Sequence, residues 1–122
     1  MTSKKPLIEL IEDDVLLARQ FSMSLERAGY QVHHSRHAAE AMAHIDTTPP
    51  AAIILDLLLP VTTGFALLHE LQSYDDTRTI PVVLCSSIVP SLDEVAPYGV
   101  RRVLDKATMH PDDLPAAIRA VL

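Results

Sequence analysis

The chain has 122 residues, the size of one domain, with 48% apolar and 21% charged side chains, so it can bury a core without staples and is not a disordered segment. Sixteen acidic against ten basic residues give a net charge of −6, which disfavours direct DNA or RNA binding, where a basic surface is needed. No apolar run approaches the ~20 residues of a membrane helix and no apolar leader follows the first lysines, while the single cysteine, Cys85, cannot close an internal disulfide; the cytoplasm is the expected setting, with no membrane partner.

Five times along the chain an apolar run is followed by a helical pattern. Leu7–Glu12 is the first run. Asp14 is an N-cap for a helix carrying Leu16, Leu17, Phe21 and Leu25 on one stripe, and Gly29 closes it. Gln31–Ser35 is a short edge strand and Ala38–Ile45 a helix stopped by Thr47-Thr48-Pro49-Pro50. Ala52–Asp56 is an unbroken apolar run closed by an acid, and Gly64–Gln72 is a helix with Phe65, Leu68 and Leu71 as core residues. Pro81 opens the run Val82–Cys85. Ser91-Leu92-Asp93-Glu94 has capping-box spacing, but Pro90 and Pro97 leave room for only a short fourth helix. Val100–Leu104 and Asp113–Leu122 are the last strand and helix, with Pro115 tolerated in the first turn.

Unbroken apolar strands indicate burial on both faces, and alternation with helices indicates parallel crossovers. The fold class is therefore α/β, three layers, doubly wound, as one domain over residues 1–122. Glu9 interrupts the first strand, and its expected partner is Lys4 or Lys5 at a solvated sheet edge. The six histidines read as solvated side chains, Cys85 as a small buried apolar residue, and Arg101-Arg102 as solvated.

In such sheets ligands bind beyond the carboxyl ends of the strands. Those ends carry Glu12-Asp13-Asp14, Asp56, Ser86-Ser87 and Asp105-Lys106. Clustered carboxylates repel unless a cation neutralises them, and a hard divalent ion, Mg²⁺ above all, suits two acids with a backbone carbonyl and waters. A carboxylate beside such an ion can attack phosphorus, and a lysine and a hydroxyl can compensate the phosphoryl oxygens.

These residues resemble the receiver domains of response regulators, the phosphoacceptor modules of two-component signalling, over essentially the whole chain. Asp56-Leu-Leu-Leu-Pro60-Val-Thr-Thr-Gly64 matches the family's D-x-x-x-P-x-x-x-G. Leu10-Ile11-Glu12-Asp13-Asp14, Ile80-Pro81-Val82-Val83-Leu84-Cys85-Ser86 and Leu104-Asp105-Lys106 match its other site segments, in order and at compatible spacings. The resemblance implies a flavodoxin-like five-stranded parallel sheet of order 2-1-3-4-5. It implies Asp56 as phosphoacceptor, with Glu12, Asp13, Asp56 and the carbonyl of Leu58 holding Mg²⁺. Ser86 and Lys106 would bind the phosphoryl oxygens. The implied donor is a phosphohistidine on a sensor histidine kinase or histidine phosphotransfer protein. Beyond promoting its own phosphotransfer and dephosphorylation, such a domain is not an enzyme.

Three features depart from the family. Val103 replaces the aromatic residue of the last strand, Ala107 replaces the proline after the lysine, and the Ser86–Gly99 segment is about two residues short. A trans Lys106–Ala107 bond is expected, because a cis bond before a non-proline costs about 2.5–4 kcal/mol. Two other readings compete: a degenerate receiver acting as a phosphate-independent protein-binding module, and an aspartyl phosphatase of the haloacid-dehalogenase type. The latter needs an acid two residues after its nucleophile, where this chain has Leu58.

Overall fold

The computed structural model describes residues 5–59 and 63–122. Lys4 and the motif's Pro60 lie outside the described residues. Five strands alternate with helices: β1 (Leu7–Ile11), α1 (Val15–Arg27), β2 (Gln31–Ser35), α2 (Ala38–Thr47), β3 (Ala52–Leu55), α3 (Gly64–Gln72), β4 (Val82–Ser86), α4 (Leu92–Val95), β5 (Val100–Asp105) and α5 (Asp113–Val121). The strands form one parallel sheet in the order β2-β1-β3-β4-β5, the flavodoxin-like arrangement expected from the sequence. The fourth helix is a single turn continued by a 3₁₀ turn, Ala96–Tyr98, so it is short, as Pro90 and Pro97 led one to expect.

Local chemistry explains the element boundaries. Asp14 Oδ1 accepts the Leu17 N–H at 3.1 Å and starts α1, and Gly29 leaves it with φ of 99°. Ser91 Oγ accepts the Glu94 N–H at 3.3 Å and donates to Glu94 Oε1 at 3.1 Å, so the four-residue box does cap α4. Pro115 sits at the third position of α5, where no intrahelical N–H is lost.

Successive strand residues point to opposite faces, and each face has its own core. Ile8, Leu10, Ile54, Val83 and Cys85 pack against Phe21 and Leu25 of α1 and Leu114 and Ile118 of α5. Ile11, Ile53, Leu55 and Leu84 pack on the other side against Ile45 of α2 and Leu67, Leu68 and Leu71 of α3. Burying each such side chain contributes about 1.5–3 kcal/mol. Two residues assigned to these cores by periodicity lie outside them: Leu16 is 79% exposed and Phe65 42%. Each stands two positions before the first buried residue of its stripe, Ala18 or Leu67, and two positions carry a helical side chain round to the other side.

Glu9 is the larger correction. It is wholly buried, and Lys5 is exposed and does not meet it. Its carboxylate instead accepts from Ser35 Oγ at 2.5 Å and lies 3.1 Å from His33 Nδ1 and 2.8 Å from His44 Nδ1. The parallel register pairs Glu9 with His33 on one face of the sheet, and α2 lays His44 over them. These two histidines are therefore not freely solvated.

Candidate functional site

Because all strands run the same way, their carboxyl ends share one rim, and the chain's acids, hydroxyl and ammonium converge there. Glu12 follows β1, Asp56 follows β3, Ser86 ends β4 and Lys106 follows β5. Two backbone bonds draw the ends together: the Asp56 N–H donates to the Ile11 carbonyl at 3.3 Å and the Lys106 N–H to the Ser86 carbonyl at 3.1 Å.

Lys106 Nζ is the centre of the site. It lies 2.5 Å from Glu12 Oε1 and 2.8 Å from Asp56 Oδ2, bridging two buried carboxylates. The remaining oxygens are held by backbone donors: Asp56 Oδ1 accepts the Leu58 N–H at 3.0 Å and Glu12 Oε2 the Asp14 N–H at 3.1 Å. Asp13 is exposed, and one carboxylate oxygen each from Glu12, Asp13 and Asp56 lie within 4.8 Å of one another. The buried Ser86 hydroxyl accepts the Ile88 N–H at 3.2 Å. Leu58 is thus at the site through its amide; its carbonyl role stays an inference from the resemblance.

Burial pushes the Glu12 carboxyl above its ordinary range, more than the Lys106 hydrogen bond lowers it, and the Asp56 charge adds to the rise. Burial would lower the Lys106 ammonium, but its hydrogen bonds to Asp56 and Glu12 outweigh that and hold it above the usual lysine value. One ammonium faces two carboxylates, so the lysine gains from both while each acid has only a share of it. Beneath the site, burial drives the Cys85 thiol up to about 12, and it packs 3.2 Å from Met109 Sδ; it is a buried apolar residue, as expected, and no nucleophile.

His34, expected to be solvated, and Gly64, the last residue of the matched motif, complete the site. His34 Nε2 lies 2.6 Å from the Glu12 carbonyl oxygen, to which it donates, fixing the chain where it leaves β1. No local signal in the sequence marks it, since the β1–β2 register that sets His34 beside Leu10 is decided by the sheet. Gly64 is required by close approach: a Cβ there would stand 2.6 Å from the Asp56 carbonyl oxygen and 2.6 Å from Leu57 Cα. Its N–H also donates to the Leu57 carbonyl at 3.0 Å, closing the loop that carries Asp56. Gly64→Ala is therefore expected to destabilise the domain by about 1–3 kcal/mol, since backbone must move to admit the methyl. Urea denaturation measures this, and an unchanged midpoint would mean the loop relaxes freely.

Fold and site together define a doubly wound α/β domain with a lysine-bridged acidic cluster at the carboxyl edge of its sheet. Residues 8–119 match the sequence model of the response regulator receiver domain, and the chain belongs to that family. Among curated relatives, it is 29% identical over 119 residues to the DNA-binding dual master transcriptional regulator RpaA of Synechocystis sp., covering 96% of this chain and 49% of RpaA. It is 30% identical over 90 residues to the transcriptional regulatory protein BaeR of Escherichia coli O6:H1, covering 74% of this chain and 36% of BaeR. The chain thus spans about half the length, or less, of these relatives. Among solved structures, the signal receiver domain of a signal transduction histidine kinase from Syntrophus aciditrophicus superposes with a TM-score of 0.83 at 31% identity, covering 96% of this chain and 89% of that one. The chemotaxis protein CheY4 of Vibrio cholerae gives a TM-score of 0.88 at 21% identity over 98% of this chain and 100% of its own, a likeness of fold. Among the described residues no helix is long and apolar enough to cross a membrane.

Proposed function

We propose that the domain is a phosphorylation-controlled switch, in which Asp56 accepts a phosphoryl group from a phosphohistidine of a sensor histidine kinase or histidine phosphotransfer protein in the cytoplasm. The observation that carries this reading is the Lys106 ammonium held between Glu12 and Asp56. Two buried carboxylates at one point are costly, and a fold keeps them when their charge has work to do. The reading needs nothing more than the domain's own phosphorylation and dephosphorylation as chemistry.

The donor set of the rim fits Mg²⁺: carboxylate oxygens of Glu12, Asp13 and Asp56 come within 4.8 Å of one another, with the Leu58 carbonyl as a further oxygen in this reading. When bound, the ion supplies positive charge to the phosphoryl oxygens and to the acid cluster. The remaining work falls to the chain. An Asp56 oxygen attacks phosphorus, forming an O–P bond as the N–P bond of the donor breaks and the imidazole nitrogen leaves with that electron pair. Lys106 already touches Asp56 Oδ2 and follows the negative charge as it passes to the phosphoryl oxygens. The Ser86 hydroxyl, now an acceptor for Ile88 N–H, turns to donate to one of them.

That turn sets the response. Val103 has no ring to swing and one stiff torsion, whereas Ile88 begins the short Pro-bounded segment that ends at Gly99. Beryllofluoride with Mg²⁺, a phosphoryl mimic, is expected to bind and to shift backbone amides from Ser86 to Gly99 more than Val103. No binding would favour the degenerate, phosphate-independent reading; shifts confined to α1 and α2 would place the switch elsewhere. The intact Glu12, Asp56 and Lys106 arrangement weighs against degeneracy. Leu58, where a haloacid-dehalogenase-type phosphatase needs a general acid, and the family match weigh against the enzyme reading. Relatives that are transcriptional regulators supply the output class we propose: control of a partner or attached domain, with no nucleic acid touched by this acidic domain itself.

A further inference from the structure

Outside the acid site, one carboxylate and two imidazoles meet on the α2 side of the sheet. We infer that Glu9, His33 and His44 form a second metal site, for a single divalent ion of the zinc class. The register sets Glu9 of β1 directly beside His33 of β2, and His44 reaches them from α2. The two His33 contacts, Nδ1 to Oε1 at 3.2 Å and to Oε2 at 3.1 Å, and the His44 contact, Nδ1 to Oε1 at 2.8 Å, converge on one carboxylate. One ligand atom from each residue lies within 4.8 Å of the others.

Charge is the reason a cation belongs there. Glu9 is 0% exposed in a central strand, and among the described residues no lysine or arginine pairs with it. A buried carboxylate needs a countercharge. The two imidazole rings lie parallel beside it, 3.4 Å apart at 6°, with both Nδ1 atoms turned to the carboxylate. A divalent ion supplies that countercharge, with the imidazole nitrogens as further ligands.

The donors choose the ion. Two imidazoles with one carboxylate suit Zn²⁺ and its neighbours Co²⁺ and Ni²⁺, whereas Mg²⁺ takes oxygen ligands. Ser35 Oγ donates to Glu9 Oε2 and orients the carboxylate, as outer partners of metal sites do, leaving Oε1 facing both rings. The side chains of His33 and His44 are 36% and 24% exposed, which gives an entry path and room for water as a further ligand. An imidazole binds a metal in the plane of its ring, and two parallel planes share no such point. Binding must therefore turn the rings out of their stack. The bound ion would tie β1, β2 and α2 together.

Co²⁺, a spectroscopic stand-in for Zn²⁺, tests this with the full chain. Visible absorption on titration reports a nitrogen-ligated site, and the ring protons of His33 and His44 report where the ion sits. In H33Q and in H44Q the Co²⁺ affinity is expected to fall by at least the ~10–100-fold that losing even an outer partner costs. Both residues are part-exposed, so these variants keep the fold where Glu9→Gln, in the buried strand, risks losing it. Co²⁺ affinity unchanged in either variant, or wild-type ring protons of both histidines left unmoved by Co²⁺, overturns the site; the latter result with binding retained would place the ion at the Glu12, Asp13 and Asp56 rim.

Discussion

Asp56→Asn is expected to remove phosphoryl acceptance altogether while the domain stays folded. The Asp56 carboxylate touches Lys106 through Oδ2 and is held in place by the Leu58 amide at Oδ1. An amide retains the Oδ1 acceptor for that N–H, so the loop geometry survives, but it is no nucleophile toward phosphorus. The effect on stability is small because two changes oppose. Lys106 loses one of its two partners, and Glu12, whose carboxyl is raised chiefly by burial, loses the Asp56 charge that adds to the rise. With Glu12 Oε1 still at 2.5 Å, the ammonium remains paired, and the net change should stay within about 1 kcal/mol. Labelled acetyl phosphate is the simplest donor. A variant that takes up label at the wild-type rate would show that another residue is the acceptor, and one that fails to fold would show that Asp56 is structural.

The second large effect is expected from the two apolar residues that border the site. Leu58 and Ile88 stand two positions after Asp56 and Ser86, and their amides bond to the Asp56 carboxylate and the Ser86 hydroxyl. Both residues are about half exposed, at 51% and 48%, and flank the site through their amides. Hydrolysis of an aspartyl phosphate needs a water placed in line with the O–P bond. A polar side chain at this border could hold that water by a hydrogen bond; leucine and isoleucine offer neither donor nor acceptor. The phosphorylated domain is therefore expected to be long-lived. Leu58→Asn or Ile88→Glu should hasten its decay by ~10²-fold, equivalent to about 2.7 kcal/mol at the barrier. Neither position holds a core side chain, so the fold should be unaffected. Loss of radiolabel after removing the donor measures the rate. Wild-type decay within seconds, or variants that decay no faster, would mean another group positions the water.

Much of the fold was legible from local rules. Unbroken apolar runs at Ala52–Leu55 and Val82–Cys85 required strands buried on both faces, and the helices between them required parallel crossovers. Acids and a lysine at the ends of parallel strands must share a rim, so Glu12, Asp56, Ser86 and Lys106 were legible as a group in the sequence. Caps at Asp14 and Ser91 were legible for the same reason: they depend on neighbours three residues away. Helix stripes were less so, since a run such as Val15-Leu16-Leu17-Ala18 offers several faces and only the sheet decides which is covered. What the tertiary structure alone decided was partnership across the fold. That Lys106 bridges Glu12 and Asp56 depends on three separate strands meeting within hydrogen-bond distance. Glu9 was misplaced at a solvated edge because nothing within a few residues of it shows that β2 will bring His33 alongside and α2 will lay His44 above. A buried charge takes its partner from wherever the packed chain puts one, and here those partners are 24 and 35 residues away.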